Sequence, residues 1–506
     1  MPGHHYVKEI DMLYNLDFLA VGQTFPPRGE LERLQDYKDN ILLFDGDSYE
    51  VYKETIRQAG RDLDRSMQRF GGLFGRFVEI NYYRLNTLAT ADLLCGEMPV
   101  ITIQDETKQQ VLNDMLHRWG WSRKLYAAAM DISRLGDAAL RVYRGEDGKS
   151  RLAQYAPSTV YKVVSDEDHD DVQCLVHATV RNFGTDEKPS WELHAQIHDR
   201  GQYTNRVYAL EPCKELDAKI ERNGRVLTNL QCYKIKALLD EGASIPVKTD
   251  TDGFALTTLH QVQTADRVWG RSDYDVMDSI MAELWKRIGQ ISIILDANAA
   301  PDMAAGIDAF TPNADGTYRL KTAGIGGGNT WVVGDDQPIP QYITWDGNLT
   351  AAFSELDMLL KQMYKLTEMG AVFEASAGGS NIAYETMRAA FARPLAKVRR
   401  ISNGIESAVK ETIINGLQID GVDVDASDIN ITWCDGLPND EQQEINKATA
   451  LVNGGFTTPE HENINRFGLT KEQSEQLAEE VSAWSADKQA SMFGGFGGGV
   501  TDGGEE

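Results

Sequence analysis

The sequence predicts an α+β fold, and three features point to it. Helix-like segments fill residues 30–94 and 106–135. From residue 138 to about 259 the pattern turns to short β-rich runs between turn clusters. Beyond Trp269, apolar residues recur at helical spacing in three long stretches, the first two separated by a small β-rich insertion. The 506 residues, 42% hydrophobic and 25% charged, have a globular composition. That length suffices for several domains at about 100–200 residues each.

The elements follow in order. Residues 1–29 lack periodicity and contain Phe25-Pro26-Pro27, which predicts an extended arm. The first helical region is rich in Leu, Arg, Asp and Glu, with Gly71-Gly72 and Gly75 interrupting it. Gly136 ends the second, and residues 138–143 read as a strand closed by the turn Glu146-Asp147-Gly148. Residues 160–164, 174–180 and 191–197 read as further strands, and Asp250-Thr251-Asp252-Gly253 as a loop. The character changes at Trp269-Gly270-Arg271-Ser272-Asp273. Ser272 is a favourable N-cap, and Asp273, Asp275 and Asp278 follow where a helix N-terminus favours negative charge.

Val276, Ile280, Leu284, Ile288, Ile291 and Leu295 keep helical spacing until Pro301. In the insertion that follows, residues 318–321, 330–333 and 342–345 are the expected strands. Leu349, Phe353, Leu356, Leu360 and Met363 mark a second long helix ending near Met369-Gly370. A loop of small residues, 375–381, leads to a third long helix that runs to about Asn415-Gly416, and Pro394 inside it is expected to kink it. After a strand at 429–433 the chain is helical again. Thr458-Pro459-Glu460 supplies an N-cap with proline in the first turn, and Thr470 with Gln473 makes a capping box. The glycine-rich, acidic tail from Phe493 is expected to be disordered.

Fifty Lys and Arg against 77 Asp and Glu give a formal net charge of −27. Binding by counterion release needs clustered cations, so simple nucleic-acid binding is disfavoured. No stretch approaches the roughly 20 apolar residues that span a bilayer, and the first residues lack a secretory pattern, so no membrane association is expected. The five cysteines are far apart and form no CxxC pair, which argues for reduced thiols in an intracellular product.

Chemistry is hard to find. No Walker A motif occurs, and the nearest glycine-rich loop, residues 324–329, lacks its lysine and reads as a loop tip. His194 and His198 are four apart but on a strand-like run, and read as surface histidines on one strand face rather than as a metal pair. The loop at Asp250 fails as a calcium site because Lys248 and Leu259 fall where carboxylates are required. Asp420, Asp423, Asp425 and Asp428 read as a solvated turn. No GxSxG occurs. No catalytic residue, metal ligand or cofactor is assigned, and the expectation is a protein that is not an enzyme.

The layout remains. Two long helices joined by a small insertion form an antiparallel hairpin. Their apolar stripes find cover either against copies of the same chain in a closed ring or inside one large α+β enzyme. Residues 349–416 carry eight Lys or Arg against seven acids, whereas residues from 438 onward carry four against thirteen, so the acidity lies largely outside the long helices.

Several motifs, in matching order, resemble tailed-bacteriophage portal proteins, the head-to-tail connector family. Trp269-Gly270-Arg271-Ser272-Asp273-Tyr274-Asp275 is similar to the family's WGxSD lead-in to the first stem helix. Ser133-Arg134-Leu135-Gly136-Asp137-Ala138-Ala139-Leu140 resembles its helix–glycine–strand step, and Tyr155-Ala156-Pro157-Ser158-Thr159-Val160 its xxPxxV segment. Pro438-Asn439-Asp440, residues 454–460 and residues 468–473 resemble its C-terminal pattern.

The resemblance implies a portal-type fold. Its parts are an N-terminal arm (1–29), a wing with a helical part then a β-rich part (30–265), a first stem helix (266–299), a β-rich clip (300–348) and a second stem helix (349–369). A tunnel loop (370–381), the long kinked wing helix with its return strand (382–436), the helical C-terminal crown (437–490) and a disordered tail (491–506) follow. It further implies a homo-oligomeric ring, usually of twelve subunits, at one capsid vertex of the virion, assembled in the host cytoplasm. The ring would conduct double-stranded DNA during packaging and ejection. Its partners would be the terminase large subunit, head-completion and adaptor proteins, and the major capsid and scaffold proteins.

Phe373, Glu374, Ser376, Gly378, Gly379, Ser380 and Asn381 would line the channel at the tunnel loop. Lys286, Arg287, Lys361 and Lys365 are basic stem residues that either face DNA or pair with acids of neighbouring subunits. Arg319, Lys321, Trp331, Asp335 and Asp336 are the clip residues expected at the terminase or connector contact. Two other readings stand beside this one: an acidic intracellular enzyme with an unrecognised carboxylate site, and another virion ring protein.

Overall fold

The computed structural model describes residues 12–52, 79–213, 221–222, 225–226, 230–239, 245–261, 264, 267–299, 303–304, 310–314, 318–320, 323–324, 329–330, 341–342, 349–370, 372, 389–434, 441–465 and 471–494. The chain divides into two compact units, Met1–Gly436 and Leu437–Glu506. The first mixes helices and strands as the sequence predicts.

Its helices are α1 (Leu31–Asp45), α2 (Tyr82–Cys95), α3 (Glu106–Trp119), α4 (Trp121–Leu135), α5 (Asp278–Ala299), α6 (Thr350–Leu366) and α7 (Ala392–Ile419). The single helical stretch expected over 106–135 is two helices. Gly120, at φ +62°, takes the left-handed conformation that closes α3, and α4 starts afresh at Trp121.

The strands β1 (Thr24–Phe25), β2 (Val100–Ile103), β3 (Asp137–Arg144), β4 (Ser150–Tyr155), β5 (Val160–Val164), β6 (Val172–Asn182), β7 (Trp191–Asp199) and β8 (Gln202–Cys213) come next, followed by β9 (Glu221–Arg222), β10 (Arg225–Val226), β11 (Cys232–Leu238), β12 (Val247–Lys248) and β13 (Leu256–His260). One sheet runs β1-β11-β8-β7-β6-β5, with β12 also on β8, and is antiparallel throughout. A second, β13-β3-β4, is also antiparallel.

Leu193, Ala195 and Ile197 alternate along β7 into the core that also takes Val176, Tyr208 and Ile235. The expected arm is part of that core. Phe18, Leu19 and Phe25 are buried there, and Thr24 and Phe25 pair with Lys234 and Tyr233 of β11. Burying side chains of this size contributes about 1.5–3 kcal/mol each, which is what holds a segment with so little regular structure.

His198 corrects the reading of β7's histidines as surface residues. Its ring is fully buried, and burial beside Arg141 and His177 pushes its pKa down to about 3. It therefore stays neutral, with Nε2 3.0 Å from Gln196 Oε1. His194 is partly exposed and lies 3.1 Å from Glu192.

The first long helix starts later than its apolar spacing implied. Ser272 caps as expected, with Oγ accepting from the Tyr274 N–H at 3.0 Å, but the turn it opens is a 3₁₀ turn, Asp273–Val276. Helix α5 begins only at Asp278. Strands β14 (Met303–Ala304), β15 (Phe310–Pro312), β16 (Tyr318–Leu320), β17 (Ala323–Gly324), β18 (Asn329–Thr330) and β19 (Gln341–Tyr342) lie between α5 and α6. They pair as β14-β19, β15-β16 and β17-β18. In β17-β18, Gly324 pairs with Asn329, the first and last residues of the glycine-rich run; residues 325–328 lie outside the described residues.

Helices α5 and α6 form the expected antiparallel hairpin. The start of the first and the end of the second meet the same helix, since Tyr83 of α2 packs on Trp285 (centroids 6.1 Å apart) and on Tyr274 of the 3₁₀ turn before α5 (4.7 Å), and Tyr82 packs on Tyr364 (6.4 Å). That end is buried within the chain by Tyr52, Tyr83, Met281, Leu284, Trp285 and Met363. Leu295, Phe353, Met358 and Leu366 are each at least half exposed.

The helical run is interrupted ahead of Pro394: Ala389 and Ala390 are helical, Phe391 forms a turn, and α7 starts at Ala392. The proline thus falls in the first turn of α7, where backbone N–H groups have no intrahelical partner to lose. Gly416 does not end α7, and the helix continues to Ile419. A Cβ at Gly416 would overlap the indole of buried Trp119 and crowd Met115 Sδ, so this glycine serves close packing of α7 on α3. Strand β20 (Ile429–Thr432) then returns to pair with β2, which the sequence reading had not marked as a strand.

Asp420 also departs from expectation. It is not part of a solvated turn. Its carboxylate is buried, pairs with Arg118, and accepts from the Ser150 N–H at 2.8 Å.

The second unit holds α8 (Glu441–Asn453), α9 (Pro459–Asn465) and α10 (Lys471–Gly494). The Thr458 cap forms as predicted, its Oγ1 accepting from the His461 N–H at 3.2 Å. Helix α10 runs through Phe493 to Gly494, where the sequence had suggested disorder, because Lys471 onward is long enough to propagate the helix into the first glycine.

Gly416→Ala is expected to destabilise the chain by about 1–3 kcal/mol, since neither the buried indole nor the α7 backbone has room to move. Urea unfolding compared with the parent chain measures this directly.

Candidate functional site

The three motifs singled out in the first unit meet in space, and the residues they share form a buried polar site. Gly136 closes α4 with φ +89°, and its N–H donates to Ile132 O at 3.0 Å. Gly270 lies against it. A Cβ on Gly270 would overlap the Gly136 carbonyl oxygen, and one on Gly136 would come within 2.8 Å of the Gly270 and Arg271 backbones. Only a pair of glycines permits this approach, and Gly136 also needs the left-handed conformation. The Gly136 carbonyl accepts from the Gln261 N–H at 2.8 Å, so no backbone polarity is wasted.

Two buried carboxylates flank the contact. Asp137 accepts from the Gly270 N–H at 2.8 Å, from the Tyr37 hydroxyl, and from His260 Nδ1 at 2.5 Å. Burial alone would raise its pKa, but the bonds from His260, Tyr37 and Gly270 outweigh it and hold Asp137 below the usual carboxylate range. His260 Nε2 lies 2.6 Å from Lys162 Nζ, whose pKa burial pushes down to about 8 against the pull of Asp137. Burial and Lys162 push His260 down, although its bond to Asp137 opposes them. At neutral pH the chain is therefore Lys162⁺, neutral His260 with its proton on Nδ1, and Asp137⁻.

Asp273 is the second carboxylate. Its Oδ2 accepts from Ser133 Oγ (2.6 Å), Asn86 Nδ2 (3.3 Å) and Thr90 Oγ1 (3.3 Å). Its Oδ1 accepts from Gln261 Nε2 (2.7 Å) and pairs with Lys397 Nζ at 2.8 Å. The sequence reading took Asp273 as one acid among three favoured by a helix dipole. The structure corrects this: Asp273 is a buried hub, buried Asp278 accepts from Tyr83 (2.9 Å) and Tyr52 (3.1 Å), and Asp275 pairs with Arg271. Neighbouring Ser272 Oγ donates to Arg134 O at 2.7 Å, adding a second strut to the α4 terminus.

The third motif joins through Arg33. Its guanidinium lies 4.0 Å from the Trp269 ring centroid, pairs with Glu30, and donates to Pro157 O (3.1 Å) and Val160 O (3.0 Å). A cleft of about 200 Å³ opens beside it, with Arg33, Tyr37, Lys162 and Trp269 on its wall. The charged groups there are engaged, Arg33 with Glu30, Arg271 with Asp275, and Lys162 with the neutral His260 ring. The buried Cys95 and Cys174 thiols, pushed up to about 12 by burial, are not nucleophiles at neutral pH. Among the described residues no group of His, Cys, Asp and Glu is placed to hold a metal ion, and no helix is long and apolar enough to cross a membrane.

The residues nominated from sequence lie elsewhere. Phe373, Glu374, Ser376, Gly378, Gly379, Ser380 and Asn381 fall outside the described residues, as do Lys321, Trp331, Asp335 and Asp336. Arg319 lies on β16 opposite Thr311. The basic residues of the hairpin pair within the chain: Lys286 with Glu283 (3.3 Å), Arg287 with Glu283 (3.1 Å) and Glu355 (3.0 Å), and Lys361 with Asp357 (2.7 Å). Lys365 is exposed in the last turn of α6. The sequence reading missed Tyr37, Asn86, His260, Gln261 and Lys397. Their only local signal is polarity inside otherwise apolar periodic runs.

Gly270→Ala is expected to cost about 3 kcal/mol, more than Gly416→Ala, because the added methyl meets a backbone carbonyl rather than a side chain. Thermal melts of the two variants side by side test the order.

Comparison with known proteins bears on the same segments. Residues 74–204 match the family model for phage portal protein, SPP1 Gp6-like. No curated protein matches the chain. Among solved structures, a chain from the virion of a native gene transfer agent particle is 12% identical, with 79% of this chain and 92% of that one covered and a TM-score of 0.38. A chain from the neck of such a particle, computed with C12 symmetry, is 13% identical, with 79% and 91% covered and a TM-score of 0.40. The resemblance read from the motifs is thus matched independently where two of the three lie, and over residues 74–204 the chain carries the signature of the SPP1 Gp6-like phage portal proteins.

Proposed function

We propose that this chain is a subunit of a phage-type portal ring, a structural component that conducts double-stranded DNA rather than an enzyme. The match of residues 74–204 to the portal family carries the proposal. In it the α5–α6 hairpin is the stem, residues 300–348 are the clip that meets terminase and then the head-completion proteins, and residues 370–381 are the loop beside DNA. The C-terminal unit is the crown.

The hairpin supports ring assembly. Phe353 and Met358 are both about half exposed, and five residues along a helix place them roughly 140° apart. A subunit in a ring meets a different neighbour on each side and needs apolar surface on two faces, as a head-to-tail contact requires. A single-chain enzyme would leave both uncovered.

Charge fits a conduit. A net charge of −27 per chain repels duplex DNA, which favours sliding over gripping. Lys286, Arg287, Lys361 and Lys365 are the basic groups available to touch phosphates in passing. Exposed ion pairs such as Lys361–Asp357 are worth about 0–1 kcal/mol, so they exchange readily for a transient phosphate.

The native mass of the purified chain, with negative-stain images of the same sample, tests the ring. A closed ring with a central hole, at or near the family's usual twelve subunits, is expected, and a monomer or dimer that persists when scaffold protein is supplied would refute it. In the assembled particle, bulky residues at Gly378 and Gly379 are expected to leave the ring intact and block DNA packaging; normal packaging removes the loop assignment. Glu374→Lys is expected to slow DNA passage, more so at low salt, where screening is weaker.

A further inference from the structure

The longest helix of the first unit grips the hairpin at the point where its two helices meet the rest of the chain. Lys397 of α7 is buried, with its side chain 7% exposed. Its ammonium makes two contacts at once. It pairs with Asp273 Oδ1 at 2.8 Å, in the 3₁₀ turn that leads into α5, and donates to Thr367 O at 3.1 Å, just past the end of α6. The last carbonyls of a helix have no intrahelical donor, and a cation placed there both satisfies one and meets the negative end of the helix dipole. One charged group thus ties together the start of the hairpin, its end and α7.

Arg400 stands one turn further along α7 on the same side. Its Nη2 donates to Glu368 Oε2 at 2.7 Å. Glu368 has φ +61°, the left-handed conformation that non-glycine residues rarely adopt. A half-buried glutamate gains nothing by itself from that backbone. Its side chain being held by Arg400, next to a carbonyl held by Lys397, gives the conformation a cause. Beyond it the chain turns onto Met369, which is fully buried.

We propose that Lys397 and Arg400 form a two-pronged latch that positions the end of α6 against the lead-in to α5 and so fixes the direction in which the chain leaves the hairpin. Lys397 is the buried prong and sets the distance between the two helix ends. Arg400 is the exposed prong and holds the left-handed turn. The latch itself is independent of the portal reading; only its use, to carry movement between the long helix and the channel loop, rests on that reading.

Hydrogen exchange of the full-length chain, followed by mass spectrometry, tests the latch without any assay of DNA packaging. The amides of Thr367 and Glu368 are bonded to Met363 O (2.9 Å) and Lys365 O (3.3 Å) and report on the end of α6. In the double variant Asp273→Asn with Lys397→Met, which leaves no buried charge unpaired, these amides are expected to exchange at least tenfold faster. Exchange in β6 and β7 should stay at parent rates, as a check on global stability. Arg400→Met alters only the exposed prong and keeps the buried pair, so it serves even where the double variant does not fold, and at least threefold faster exchange at Glu368 is expected. Lys410→Met, which breaks a Glu406 pair on the same helix, should change neither amide. Parent rates at Glu368 in Arg400→Met, or at Thr367 in a folded double variant, overturn the proposal.

Discussion

A carboxylate taken out of water must be repaid in hydrogen bonds and opposite charge, and the first unit is organised around one that is. Asp273 receives donors from α2, α4, α7 and the segment after β13, which are brought together from residues 86, 90, 133, 261 and 397. Removing any single donor leaves the charge less compensated, whereas removing both members of the Asp273–Lys397 pair does not. The geometry is therefore specified by the carboxylate's need for all of its partners at once. The close approach of Gly136 to Gly270 is what lets the turn carrying Asp273 reach them.

The same junction explains why three short motifs, each weak alone, occur together. Ser133-Arg134-Leu135-Gly136-Asp137 supplies a helix end, a glycine without a side chain and a buried acid. Trp269-Gly270-Arg271-Ser272-Asp273 supplies the matching glycine, a cap and the second acid. Pro157 and Val160 offer carbonyls to Arg33, which also stacks on Trp269. Each motif completes the polar requirements of another, so substitutions in one are felt in all.

The hairpin that leaves this junction combines a rigid root with incompletely covered flanks. Its root is buried by tyrosines and methionines from α2 and the hairpin itself. Farther along, Leu295, Phe353 and Met358 remain open, and its basic residues sit in weak surface pairs. The latch at Lys397 and Arg400 adds a defined connection between the hairpin and α7.

Sequence by itself determined the α+β class, the strands β3, β5, β6, β7 and β20, the antiparallel hairpin, the Thr458 cap and the family resemblance. Those features rest on periodicity and turn chemistry within a few residues. Tertiary structure decided the rest. His198 alternates like any strand histidine, yet its environment comes from strands joined far along the chain. Asp420 looks like one of a run of solvated acids until Arg118, some 300 residues away, meets it. Gly416 resembles a helix stop until Trp119 occupies the space its side chain would need. A buried polar group or a packing glycine is defined by what lies opposite, and that partner is set by the fold and not by neighbours in the chain.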